Sequence, residues 1–195
     1  AFKETVSINE NICCEISKYK FDQKAINWIT QLASNYIKLR NLKNKEKKIA
    51  IVMSNYPVKN GRIGNGVGLN TPNSIINILN WLKDEGYEIS DIDLPKDSLE
   101  LMSMLIKNRT NDPLSMNNPP LDYLSLSDYE HYWNKIPKLS RNKIIKRWDV
   151  PSKSIDLEEK GFAINGLKFG NVCLLIQPQR GYDSQSIKDI HSPDL

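Results

Sequence analysis

From Phe21 the apolar positions Ala25, Trp28, Ile29, Leu32, Tyr36 and Leu39 recur every three or four residues, the period of one helix face. The spacing predicts a long amphipathic helix, which the charged run at 44–48 ends. Residues 1–20 show no such period and read as an irregular lead-in. At 49–53 stands Ile-Ala-Ile-Val-Met, a short unbroken apolar run of the kind a strand shows when both faces of its sheet are covered. A polar, glycine-rich stretch at 54–70 follows. Thr71 as N-cap and Pro72 at the first helical position then open a helix whose apolar face is Ile75, Ile76, Leu79 and Leu82.

The alternation continues for another cycle. Gly86 closes the helix, 87–92 alternates weakly as a second strand, and Asp97 with Glu100 caps a helix bearing Leu101, Met102, Leu105 and Ile106. Between 108 and 123 the composition turns to Asn, Asp, Ser and three prolines, which predicts a long loop, a lid or the edge of an insertion. A capping box at 127–130 opens a helix carrying Tyr129, Tyr132 and Trp133, and 139–148 reads as a helix with basic residues Arg141, Lys143, Lys146 and Arg147. Phe162 to Ile164 lead into a tight turn at Asn165 and Gly166, then into a second buried strand at 171–176. The expected fold is α/β: a mostly parallel sheet with flanking helices, Rossmann-like or flavodoxin-like. Its domain spans 21–195, with a loop and helical insertion at about 108–155.

Composition narrows the class. Apolar residues make up 39% of the 195, charged residues 26%, and no apolar run approaches the length of a membrane span. The N-terminus has no basic region followed by an apolar stretch, so the cytoplasm is the expected compartment. Cys13, Cys14 and Cys173 are odd in number and two are adjacent, so they read as reduced thiols. A net charge of +4, from 27 basic and 23 acidic residues spread along the chain, is too weak for a nucleic-acid surface. The first residue is not Met and the last five carry no helix stop, which reads as a piece of something larger.

Ligands of open α/β sheets bind beyond the carboxyl ends of the strands, where loops and helix N-termini converge. Two loops qualify, and parallel strands at 49–53 and 171–176 would bring them to one edge. The first holds Gly61, Gly64, Gly66 and Gly68, which let a ligand approach the backbone, with Asn65 between Gly64 and Gly66 and with Lys59 and Arg62 adding positive charge. It matches neither a Walker A loop nor the dinucleotide fingerprint, and by spacing alone such a loop is more often plain turn chemistry than a ligand cradle. The second loop, 177–183, runs Gln-Pro-Gln-Arg-Gly-Tyr-Asp, with His191 eight residues on; a lone His is more often structural than a ligand or base, and capping the next helix is the plain alternative for Asp183. The aromatics of 129–133 read as core packing, and the basic residues of 141–147 as a solvated face.

The stretches 48–57 (Lys-Ile-Ala-Ile-Val-Met-Ser-Asn-Tyr-Pro) and 61–72 (Gly-Arg-Ile-Gly-Asn-Gly-Val-Gly-Leu-Asn-Thr-Pro) resemble the signature of the large subunit of ATP-dependent cobaltochelatases and of its relative, the porphyrin-binding subunit of magnesium chelatase. Gly170, Asn171, the loop 177–183 and the His-Ser-Pro-Asp-Leu ending at 191–195 resemble the second signature in the expected order. The resemblance covers most of 20–195, and Arg-Gly-Tyr-Asp at 180–183 is similar to the cobalt branch. It departs at two places: Asn70 stands where an acid is expected before Thr-Pro, and Asp149 follows Trp148 where glycine is expected.

The resemblance implies a tetrapyrrole-binding subunit that receives Co2+ as substrate metal (Mg2+ in the alternative branch) and inserts it into a corrin precursor. It also implies two partner subunits, one an AAA-type ATPase that binds the ATP. Metal insertion strips water from the ion, removes two pyrrole protons and grips a ring rimmed with carboxylates. On residue type, Arg62 and Arg180 suit the carboxylates, Tyr182 suits stacking on the ring, and Asp183 or His191 suits proton removal or holding the metal. Lys59, Gly61, Gly64, Asn65, Gly66, Gly68 and Gln177 complete the expected tetrapyrrole-binding set. A non-catalytic scaffold or partner-docking domain is the alternative of a different class, and an independent nucleotide- or sugar-phosphate-binding enzyme is a third.

Overall fold

A computed structural model describes residues 2–56, 59–90, 94–154 and 156–179. The chain divides into two units, Ala1–Lys43 and Asn44–Leu195.

The first unit holds an antiparallel hairpin, β1 (Phe2–Asn9) with β2 (Cys14–Lys20), and then helix α1 (Gln23–Asn41). The hairpin replaces the irregular lead-in expected for 1–20. A bulge between Thr5 and Ser7 inserts one extra residue into β1, so the period of two breaks in mid-strand and escapes a reading by spacing. The turn is set by Asn9, whose Oδ1 accepts from the Asn11 N–H at 3.1 Å, and by Cys13 at φ 50°. Helix α1 forms where its spacing predicts, capped by Asp22 through the Ala25 N–H at 3.1 Å. None of its residues is buried, and Trp28, Ile29 and Tyr36 are more than half exposed.

The second unit begins with β3 (Ile49–Met53), followed by the glycine-rich loop and helices α2 (Thr71–Asp84) and α3 (Ser98–Lys107). Asn70, not Thr71, caps α2: its side chain accepts from the Asn73 N–H at 3.3 Å and its carbonyl from Ser74. Residues 87–90 are not a strand; 91–92 lie outside the described residues. Next come β4 (Asp122–Leu124), α4 (Leu126–Trp133), α5 (Lys138–Trp148), β5 (Leu157–Glu158), β6 (Gly161–Ile164), β7 (Gly166–Phe169) and β8 (Val172–Ile176). Ser125 rather than Ser127 opens α4, accepting from the Asp128 N–H at 3.1 Å.

The α/β class holds, but the expected mostly parallel, Rossmann-like sheet does not describe these residues. Strands β3 and β8 are parallel, in register from Ile49 with Val172 to Met53 with Ile176, while β7 joins the same sheet antiparallel to β8. A separate antiparallel sheet, ordered β4-β6-β5, crosses the middle third. Asn165 and Gly166 are therefore a corner between two sheets rather than a hairpin turn; the hairpin turn lies at Gly170, at φ 59°.

Helices α2 and α3 cover one face of the β3-β8-β7 sheet. Ile75 and Leu79 of α2 and Leu101 and Leu105 of α3 form one core with Leu167, Phe169, Val172, Leu174, Ile176, Met53 and Ile63. Burial on β8 alternates, and Val52 on the opposite face is 59% exposed. The apolar run at 49–53 is thus covered on one face, not two.

Candidate functional site

Parallel pairing of β3 with β8 puts their carboxyl ends side by side, and the loops after them share an edge. Gln177 N–H donates to Met53 O at 2.8 Å. The buried Asn55 donates to Lys59 O at 3.1 Å and accepts from Asn111 Nδ2 at 2.9 Å. Asn111 Nδ2 also donates to Gln177 O at 2.7 Å, so one amide joins both loops. Thr110, almost fully buried, donates to Asn60 Oδ1 at 2.7 Å and ties the glycine-rich loop to the segment after α3.

Within the glycine-rich loop, geometry accounts for several glycines. Gly64 and Gly68 have φ 70° and 75°, and Gly64 N–H donates to Ser54 O at 2.7 Å. A Cβ on Gly64 would sit 3.2 Å from Thr71 Cγ2, a tight contact. The Ser54 hydroxyl donates to Asn65 O at 2.9 Å, and Leu69 N–H donates to Gly66 O at 3.1 Å. Buried Ile63 anchors the loop in the core, leaving Lys59, Gly61, Arg62, Asn65, Gly66 and Gly68 exposed around it. Gln177 is half-buried. Arg180, Tyr182, Asp183 and His191 lie outside the described residues, and among the described residues no cluster of three or more His, Cys, Asp or Glu could hold a metal.

The open face of β3 and β8 forms one wall of a cavity of about 610 Å3 that spacing alone did not reveal. Val52 and Leu175 line it from this sheet, Leu124, Phe162 and Ile164 from the β4-β6-β5 sheet, and Pro178 and Gln179 from the segment after β8. Tyr129, expected as core packing, also lines it and lies against Phe162 with ring centroids 4.9 Å apart. Tyr132 is 63% exposed.

The polar wall is built around Arg109, just past the end of α3, whose side chain is only 9% exposed. Its guanidinium pairs with Glu158 Oε1, while its second terminal nitrogen faces Met116 Sδ at 3.4 Å. Glu158 Oε2 accepts from the Tyr123 hydroxyl at 3.2 Å. Burial, followed by that hydrogen bond and the Glu158 charge, pushes the Tyr123 phenol above its ordinary value. Sequence reasoning missed Asn55, Arg109, Asn111 and Glu158. They fall in stretches without periodicity, and only an arginine beside a proline-rich loop was there to be noticed.

The CobN/Magnesium Chelatase family model matches residues 1–195. Over 196 residues the chain is 32% identical to "Aerobic cobaltochelatase subunit CobN" of Pseudomonas aeruginosa, covering 100% of this chain and 16% of that protein. It is 35% identical over 170 residues to the subunit of the same name from Sinorhizobium sp., covering 87% of this chain and 13% of that one. Among solved structures, "Catalytic Subunit of Cobaltochelatase from Mycobacterium tuberculosis" superposes with a TM-score of 0.69 at 27% identity, over 92% of this chain and 14% of that one. The chain therefore spans about one seventh of the length of these relatives.

Proposed function

The chain belongs to the CobN/magnesium chelatase family, and on that premise we propose that it is part of the tetrapyrrole-binding large subunit of a cytoplasmic cobaltochelatase. That enzyme would insert Co2+ into hydrogenobyrinic acid a,c-diamide, with ATP bound and hydrolysed by an AAA-type partner acting with a companion subunit. The identities of 32% and 35% to cobaltochelatase subunits support the cobalt branch. By itself the chain hydrolyses nothing.

The observation that carries the site is the juxtaposition at the sheet edge. The loops after β3 and β8 are joined through Asn111, which contacts Asn55 and Gln177, and this supports reading the two loops as one locus. In this reading the Arg62 and Arg180 guanidiniums hold carboxylates of the macrocycle rim, where planar bidentate pairing is stronger and more directional than a lysine contact. Exposed glycine backbone at Gly61, Gly66 and Gly68 lets the ring approach, while the buried Gly64 shapes the loop, and Tyr182 stacks on the ring. Asp183 and His191 accept the pyrrole protons or hold the incoming metal, for which imidazole and carboxylate are suitable donors. The protein's work is to bind the ring, exclude water from its face and keep a base near the pyrrole N–H groups.

A visible-absorbance titration tests this. The chain is expected to bind hydrogenobyrinic acid a,c-diamide saturably, and Arg62→Ala to weaken binding about tenfold, the scale of one lost charge-assisted pair. Preference for protoporphyrin would move the chain to the magnesium branch. Binding of neither ring would leave a scaffold or docking domain.

A further inference from the structure

The cavity beneath the open face of β3 and β8 holds a charge that the proposed macrocycle contacts do not use. Arg109 is nine-tenths buried, yet its charge partner Glu158 has a side chain 36% exposed and sits on a two-residue strand. Val52, Leu124, Tyr129, Phe162 and Leu175 supply an apolar and aromatic part of the wall, and Asp156 is a second carboxylate among the lining residues. A buried guanidinium requires a carboxylate, because an unpaired charge in such surroundings is strongly destabilising. Which carboxylate supplies it is open to exchange, since Glu158 already faces water in part and its contacts with Arg109 and Tyr123 would pass to the incoming group.

We infer that Glu158 holds the place of a ligand carboxylate, and that the cavity takes a flat apolar molecule whose carboxylate replaces Glu158 on Arg109. Tyr123, whose hydroxyl now donates to Glu158 Oε2, is positioned to donate to the incoming group instead. A carboxylate is required because an uncharged amide, though equal in shape, would leave Glu158 no reason to release the guanidinium. The inference deepens the function proposed above, in which the occupant is a carboxylate-bearing edge of the macrocycle. It extends that site beyond the exposed loop 59–68 to the cavity, which Pro178 and Gln179, directly after Gln177, help to line.

The test uses the 195-residue chain with 2-naphthoate as probe, 2-naphthamide as its uncharged counterpart, and the corrin precursor in parallel. Calorimetric titration is expected to show Glu158→Gln binding naphthoate about tenfold more tightly than the unaltered chain, because the internal competitor is gone. Arg109→Lys, which keeps charge but loses the planar fork, is expected to bind it about tenfold more weakly. Glu158→Gln leaves Arg109 short of a counter-charge, so its melting temperature falls, and naphthoate but not naphthamide restores it. That rescue does not depend on the Arg109 variant folding.

Weaker or unchanged naphthoate binding by Glu158→Gln, equal rescue by the amide, or no naphthoate binding to any variant overturns the inference, whatever the corrin does. If naphthoate behaves as expected but the chain binds no corrin, the carboxylate site stands and the macrocycle reading falls. Corrin binding that follows the same order across the variants supports both.

Discussion

Asp149 ends α5 at φ 65° and ψ −169°, backbone that a side chain rarely adopts, at the position where the family pattern leads one to expect glycine. Its carboxylate offsets some of that strain by accepting from the Val150 N–H at 2.8 Å and from Lys153 Nζ at 3.3 Å. The Val150 bond, then Lys153, holds this carboxyl below the ordinary aspartate value. A lowered value means that the contribution is complete above the ordinary carboxylate range and is lost as the pH falls through the folded-state value. Asp149→Asn should therefore flatten part of the acid limb of a stability-versus-pH curve, read from urea midpoints. Asp149→Gly should raise the melting temperature by about 2–4 °C, because backbone relief exceeds the loss of two exposed contacts. A lower melting temperature would show that the contacts dominate. The departure was visible in the sequence; only the dihedral shows what it does.

At the scale of elements, the corner at Asn165–Gly166 decides how the middle third joins the main sheet. Gly166 has φ 153°, and a Cβ there would lie 2.2 Å from Leu174 O. Gly166→Ala should destabilise the second unit by about 3 kcal/mol or more, combining a forbidden conformation with overpacking, as chemical denaturation would measure. A loss below about 1 kcal/mol would mean the corner relaxes freely. Helices α1, α2 and α3 were legible because their apolar periods are long and uninterrupted. The strands were legible less well: β1 is hidden by its bulge, β6 and β7 run together in sequence but belong to different sheets, and 49–53 is apolar on both faces although helices cover only one. An apolar strand face without a helix over it is the local sign of the cavity, and it cannot be told from a buried face by composition.

For the molecule as a whole, the contrast lies between an uncovered first unit and a second unit with a core of its own. None of the described residues of 2–43 is buried, whereas the second unit encloses Leu79, Leu101, Leu105, Phe169, Val172 and Leu174 almost completely. Residues 44–195 alone should therefore melt cooperatively, within about 2–4 °C of the whole chain, the shift that about 1 kcal/mol causes in a domain of this size. Loss of the calorimetric transition on removing 1–43 would refute that independence. Helix periods, caps to within a residue or two, the α/β class and the glycine-rich loop after β3 were determined by the sequence itself, because they depend on neighbours three to ten positions apart. The parallel partnership of β3 with β8, the separate β4-β6-β5 sheet, and the meeting of Arg109 with Glu158 and of Asn55 with Asn111 were decided only by tertiary structure. Those pairings join residues tens of positions apart, and no local spacing encodes which distant strand will supply a hydrogen-bonding edge or which buried charge will need a partner.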